Sequence, residues 1–199
     1  MNYLLHLYLS NDTPELIVGN FMGDFIKGRL DDRYPPAIRQ GLVLHRKIDT
    51  YAQNHPLFRL SRSRLDDSCG LYRGVHIDLF YDHFLAANWS DWSQVPFENW
   101  LARMRQTVEA FDHVLPPRLR ELVPIVFSEL LPSYQTVEGT AAALDRMARR
   151  VRKPDGLRSG GAELIRNYGT LHHDFRSFLP AVHQFVRNNI ENNSQDFPL

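Results

Sequence analysis

Three stretches of this chain set polar, chemistry-bearing side chains one helical turn apart in otherwise apolar surroundings: Asn20 with Asp24, His45 with Asp49, and Asp78 with Asp82 and its neighbour His83. Residues four apart share one face of an α-helix. Asp78 and Asp82 therefore oppose two like charges, at a cost on the order of 0.3 kcal/mol in water and more once desolvated. A divalent cation is the simplest counterweight. Taken singly, such a pair is more often solvated or matched by an arginine. Three of them on separate helices whose polar faces converge make a mixed oxygen and nitrogen site, which suits manganese, magnesium, iron or zinc. His45 and Asp49 admit two arrangements, one in which Asp49 orients the imidazole and one in which both are ligands.

Other chemistries lack their residues. The chain has no HExxH, no Glu-x-x-His for a di-iron bundle, no Gly-x-Ser-x-Gly elbow and no phosphate loop ending in Gly-Lys-Ser or Gly-Lys-Thr. The single Cys69 excludes an internal disulfide framework and a CxxC zinc site, and it fits a reducing compartment. His172, His173 and His183 match no zinc spacing. His6, alone among leucines and tyrosines near the N-terminus, reads as a hydrogen-bonded core residue rather than a ligand.

The elements that must position these groups are helical. With 199 residues, 43% of them apolar, the chain can bury a substantial core as one domain, expected over 1–190 with a polar tail at 191–199. Lysine and arginine balance aspartate and glutamate at 23 each, so no global field favours nucleic acid. The N-terminus lacks a basic region before a long apolar run, and no uncharged stretch reaches membrane-span length, so a soluble, cytoplasmic protein is expected. Proline opens segment after segment, at Pro14, Pro36, Pro56, Pro96 and Pro117, each followed by apolar residues at three- and four-residue spacing. Strand signals are scarce, with no run of alternating β-branched residues. The expectation is an all-α, single-domain bundle of roughly eight helices.

Particular helices follow from the same pattern. One is expected from Thr13 to Gly28, carrying Asn20 and Asp24, with Gly19 and Gly23 four apart where a helix or ligand must come close. Another spans Pro36 to Gln53 with His45, Arg46 and Asp49. The helix after His55 bears Arg59, Arg62 and Arg64, and the central one covers 72–89. A basic helix is expected from Ala141 to Lys153, with Arg146, Arg149, Arg150, Arg152 and Lys153. The last long helix, Ala162 to Asn189, is expected to break near Pro180.

Met1-Asn2-Tyr3-Leu4-Leu5-His6-Leu7, Gly19-Asn20 to Asp24-Phe25, His45-Arg46-Lys47-Ile48-Asp49, and Asp78 to Asp82-His83-Phe84-Leu85 with Trp89 closely resemble the bacterial acyl carrier protein phosphodiesterases, also called acyl carrier protein hydrolases. The resemblance spans the chain, with its specific motifs in the first ninety or so positions. It implies hydrolysis of the phosphodiester joining 4'-phosphopantetheine to a serine of holo acyl carrier protein, giving apo carrier and free 4'-phosphopantetheine. It also implies manganese dependence and a distant HD-domain-like relationship to metal-dependent phosphohydrolases. One departure is plain: an HD signature places His before Asp, whereas the adjacent pair here is Asp82-His83.

The expected site follows from these readings. Asp24, His45, Asp49, Asp78, Asp82 and His83 are the candidate catalytic residues, and Asp24, His45, Asp49, Asp82 and His83 the candidate metal ligands, with Mn²⁺ favoured over another divalent cation. Asn20, Arg46, Arg149 and Arg150 are candidate substrate contacts, Arg46 through a bidentate fork to phosphate and the other two arginines through attraction to a small acidic carrier. Two rival readings remain: an HD-type phosphohydrolase acting on a nucleotide, and a non-enzymatic helical binding module whose polar pairs only specify packing.

Overall fold

Proline sets the helix starts, because its fixed φ and missing N–H cost nothing in a first turn. In the computed structural model, which describes residues 3–10, 13–30, 32–151 and 154–195, Pro14, Pro36, Pro56 and Pro117 each occupy a first helical position. The helices are α1 Tyr3–Tyr8, α2 Pro14–Phe21, α3 Pro36–Asn54, α4 Pro56–Arg64, α5 Arg73–Ala87 and α6 Phe97–Ala110. Then α7, Pro117–Ile125, passes through a π-helical Val126–Leu130 into the short α8, Leu131–Ser133. Finally come α9 Val137–Ala148, α10 Asp155–Arg158 and α11 Gly160–Gln195. Among the described residues there is no strand, and the fold is all-α.

The centre of the bundle is α5. His76, Ile77, Leu79, Phe80, Tyr81, Asp82, His83, Phe84, Leu85 and Ala86 are all buried, so apolar residues face every direction and the helix must be wrapped by others. α1, α4, α9 and α11 pack against it. Ser61 and Arg64 on α4 both bond the buried Asp174 of α11, the arginine with Nε at 2.8 Å and Nη2 at 3.2 Å, which ties those two helices together.

Several boundaries differ from the sequence-based expectation. α2 stops at Phe21, and Gly23–Phe25 form a 3₁₀ turn instead of continuing to Gly28, so Asp24 leaves the helix axis while Asn20 stays on it. The basic helix begins earlier, at Val137, and ends at Ala148; Arg149 and Arg150 lie in the turn after it, and Arg152 and Lys153 fall outside the described residues. Pro180 does not break α11. A mid-helix proline costs about 3 kcal/mol, but Phe175, Phe178, Leu179 and Val182 around it are fully buried, each contributing about 1.5–3 kcal/mol. The expected tail is helical as far as Gln195.

A buried carboxylate anchors the first helix. Asp82 accepts hydrogen bonds from the backbone N–H of Leu4 and of Leu5, both at 3.0 Å, which satisfies two of the donors a helix start leaves open. Burial pushes its carboxyl up to about 7, with those two bonds pulling the other way. Because folding raises this pKa, the folded state holds the proton more tightly than the unfolded chain does. The resulting stabilisation is complete below pH ~4 and fades as pH rises through about 7. Asp82→Asn should therefore lose less stability than the wild type between pH 5 and pH 7 in urea denaturation. Equal changes in the two proteins would refute the assignment.

Candidate active site

α2 and α3 approach at backbone contact because both carry glycine at the crossing. A Cβ on Gly19 would lie 2.2 Å from the Ile38 carbonyl oxygen, and one on Gly41 would lie 2.6 Å from that of Leu16. Closeness at this point brings the Asn20 carbonyl oxygen to 2.8 Å from Nδ1 of His45. Gly23 completes the fit, since a Cβ there would meet the His45 ring at 2.1 Å.

Asn20 is fully buried and serves both histidines. Its Nδ2 donates to the His6 carbonyl oxygen at 2.9 Å and to Ser10 Oγ at 2.7 Å, and its Oδ1 faces His6 Nδ1 at 2.8 Å. Both Nδ1 partners are oxygens without a proton, so each ring donates from Nδ1 and, when neutral, carries its lone pair on Nε2. The two rings stack, with centroids 4.0 Å apart and planes at 16°.

Their Nε2 atoms converge on one carboxylate. Asp49 Oδ1 lies 3.3 Å from His6 Nε2, and Asp49 Oδ2 lies 3.3 Å from His45 Nε2, with Asp24 Oδ1 3.7 Å from the latter. One donor atom from each of His6, His45 and Asp49 falls within 4.8 Å of the others, a spacing a single cation can gather. His6 Nε2 is buried without a hydrogen-bond partner. Two lone pairs and a carboxylate pointing at one spot, one of them orphaned, need positive charge between them, and the His₂-carboxylate chemistry fits a borderline divalent metal.

Electrostatics agree with that demand. Burial alone would lower the His45 pKa, but its hydrogen bonds with Asp24 and Asp49 outweigh burial and raise it to about 9. Burial, reinforced by the positive charge on His45, depresses His6 to about 4. Asp49 sits far below the ordinary carboxylate range because its desolvation is overcome chiefly by the hydrogen bond from His45, and Asp24 is lowered in the same way by His45. The proton on His45 thus stands where a cation would.

Two clefts of about 280 Å³ each meet at Asp24 and Asp49. The first also takes in Gln53, Val75, Asp78 and Met147, the second Gly23, Lys27, His45 and Arg46. Asp78, half-buried, is pushed up first by burial and further by the negative charges of Asp49 and Asp24.

Of the residues expected at the site, Asp24 and Asp49 therefore stand where the two clefts meet, with His45 in one and Asp78 in the other. Asp82 and His83 lie in neither: Asp82 bonds α1, and His83 has Nδ1 2.8 Å from the Tyr134 carbonyl oxygen and Nε2 3.2 Å from the Tyr168 hydroxyl. Asn20 holds the histidines from behind rather than facing the cleft. Arg46 lines it but donates to the carbonyls of Ile26 at 3.2 Å and Gly28 at 2.7 Å, bracing the cleft wall. Arg149 and Arg150 are exposed, and Arg150 lines a neighbouring pocket that shares Met147 with the cleft. His6 is the residue that sequence reasoning passed over; its one signal was an ionisable group inside Leu-Leu-His-Leu with no local partner.

Comparison with known proteins adds a family. Residues 1–182 match the family described as acyl carrier protein phosphodiesterase. Acyl carrier protein phosphodiesterases of Escherichia coli O45:K1 (strain S88 / ExPEC) and of Escherichia coli O157:H7 are each 30% identical to the chain over 184 residues, covering 92% of it and 95% of their own length. No solved structure matches it. No helix among the described residues is long and apolar enough to cross a membrane. A match of this extent, shared by a chain whose His45, Asp49 and Asp24 meet in one cleft, places the protein in the acyl carrier protein phosphodiesterase family.

Proposed function

We propose that this protein is a manganese-dependent phosphodiesterase that removes 4'-phosphopantetheine from holo acyl carrier protein by hydrolysis. The single observation that carries the reading is the convergence of His6 Nε2, His45 Nε2 and the Asp49 carboxylate, in a member of this family. Their donor set also supports kinship with HD-type phosphohydrolases, and a cytoplasmic setting goes with the carrier substrate.

His6, His45 and Asp49 would hold the metal, with the Asp24 carboxylate close by, and Asn20 fixes both rings so that each Nε2 faces Asp49. When bound, the cation supplies the charge that polarises a phosphoryl oxygen and acidifies a water. Asp78 stands across the same cleft with a pKa raised by burial, as suits a carboxylate that takes the proton of a water attacking phosphorus. That proton is then available at Asp78 for the departing serine oxygen. Arg46 and Lys27 place positive charge on the wall where the phosphate lies. The acidic carrier is drawn to the side of Arg146, Arg149 and Arg150, next to Met147 at the cleft edge.

Incubation of the purified protein with holo carrier protein and Mn²⁺, read by mass spectrometry, should show the carrier losing its prosthetic group, and exhaustive chelation should stop the loss. A carrier of unchanged mass would overturn the substrate; turnover surviving chelation would overturn the metal.

A further inference from the structure

A second, more apolar cavity lies beside the candidate site. It is a groove of about 570 Å³ along the outer side of α3, walled by Leu30, Val43, Tyr51, Pro56 and Phe185, with Arg46 shared between it and the cleft. That volume lies within the roughly 300–1,000 Å³ typical of small-ligand pockets. Tyr51 and Phe185 stack with ring centroids 4.2 Å apart and form an aromatic floor, although both are only partly buried. Aromatic surface left open beside a charged cleft calls for an apolar occupant.

We infer that this groove receives the acyl chain carried on the substrate's pantetheine arm, so that the enzyme favours acylated over unacylated carrier; the inference rests on the function proposed above. Three observations fix the occupant. Arg46 is a wall of both the groove and the cleft that holds His45 and Asp49, so a molecule whose phosphate lies in the cleft enters the groove directly. Successive turns of α3 then present Val43, Lys47, Thr50, Tyr51 and Asn54 along the groove, which runs beside the site on a neighbouring face of the same helix. The opposite side of the cleft, at Met147, adjoins the arginines 146 and 150. A phosphodiester has two substituents. An acidic protein belongs on the basic side, which leaves the long, mostly uncharged arm, apolar at its acylated end, for the aromatic side. The polar groups of Lys47, Thr50 and Asn54 along the rim suit the amides of that arm.

The chain gains contact equally in ground and transition states, so acylation should lower KM with little change in kcat. Full burial of a methylene corresponds to about fourfold in affinity. Holo, butanoyl, hexanoyl and octanoyl carrier should accordingly give kcat/KM rising at least about fourfold with each two methylenes. Thr50 is exposed, so Thr50→Trp should fold normally and block the groove, abolishing the rise; Val43→Trp, filling it from below, should do the same. A wild-type enzyme indifferent to chain length, or a rise that survives in both variants, overturns this inference while leaving carrier hydrolysis standing. Absence of turnover on every carrier overturns the functional reading and the inference together.

Discussion

Asp49→Ala is expected to abolish cation binding and lower kcat by at least ~10²- to 10³-fold, with no recovery at saturating Mn²⁺. The carboxylate is the only anion within 3.3 Å of either Nε2 in the described site, and both rings aim at it. Removing it leaves His6 and His45 facing each other across an empty gap, stacked at 4.0 Å, where two positive charges cannot coexist. The same geometry fixes the pH dependence. In the wild type a cation must displace the proton that Asp24 and Asp49 hold on His45 up to about pH 9, so cation affinity rises about tenfold per pH unit through neutrality and levels off above about 9. Titration calorimetry at pH 6, 7 and 8 measures both effects; affinity independent of pH would mean that His45 is not a ligand. His45→Ala should match Asp49→Ala, and the double variant should lose little more, because residues acting as a unit are not additive.

Asn20→Ala should weaken cation binding about 10- to 100-fold, the usual consequence of removing the partner that orients a ligating histidine. In this case activity should return as Mn²⁺ is raised. His45 keeps its bond to the Asn20 backbone oxygen, which the substitution spares, whereas His6 loses the acceptor at its Nδ1. Folding suffers too, by about 1–3 kcal/mol, because the His6 carbonyl and Ser10 lose a buried donor. Kinetics across a range of Mn²⁺ concentrations separate this from Asp49→Ala: an activity loss that saturating metal leaves untouched would make Asn20 something other than a positioning residue.

The parts of the site that lie within one helix were readable from spacing. His45 and Asp49 are four apart on α3, and the pairing survives folding because the helix is long and its other faces are buried. Gly19 and Gly23, noted as points of close approach, admit α3 and the His45 ring respectively. Asp24 reaches the cleft by a different route from the one periodicity suggests, through the 3₁₀ turn that follows α2. What spacing could not reveal depends on contacts distant in sequence. His6 is a ligand candidate only because α1 is fastened 77 and 78 residues away to Asp82, a tie no local pattern encodes. For the same reason Asp78 and Asp82, alike in sequence context, part company: one edges the cleft and the other is sealed beneath α1. His83 sits next to Asp82 yet turns toward Tyr134 and Tyr168, since neighbours on a helix buried all round face different partners. Pro180 misled because the apolar packing around it outweighs the local cost of proline.

Crystals soaked in Mn²⁺ and measured at the manganese absorption edge test the central claim most directly. The account predicts an anomalous peak bound by His6 Nε2, His45 Nε2 and Asp49, absent in Asp49→Ala crystals. A peak at Asp82 or His83, or none near the three converging donors, would contradict it.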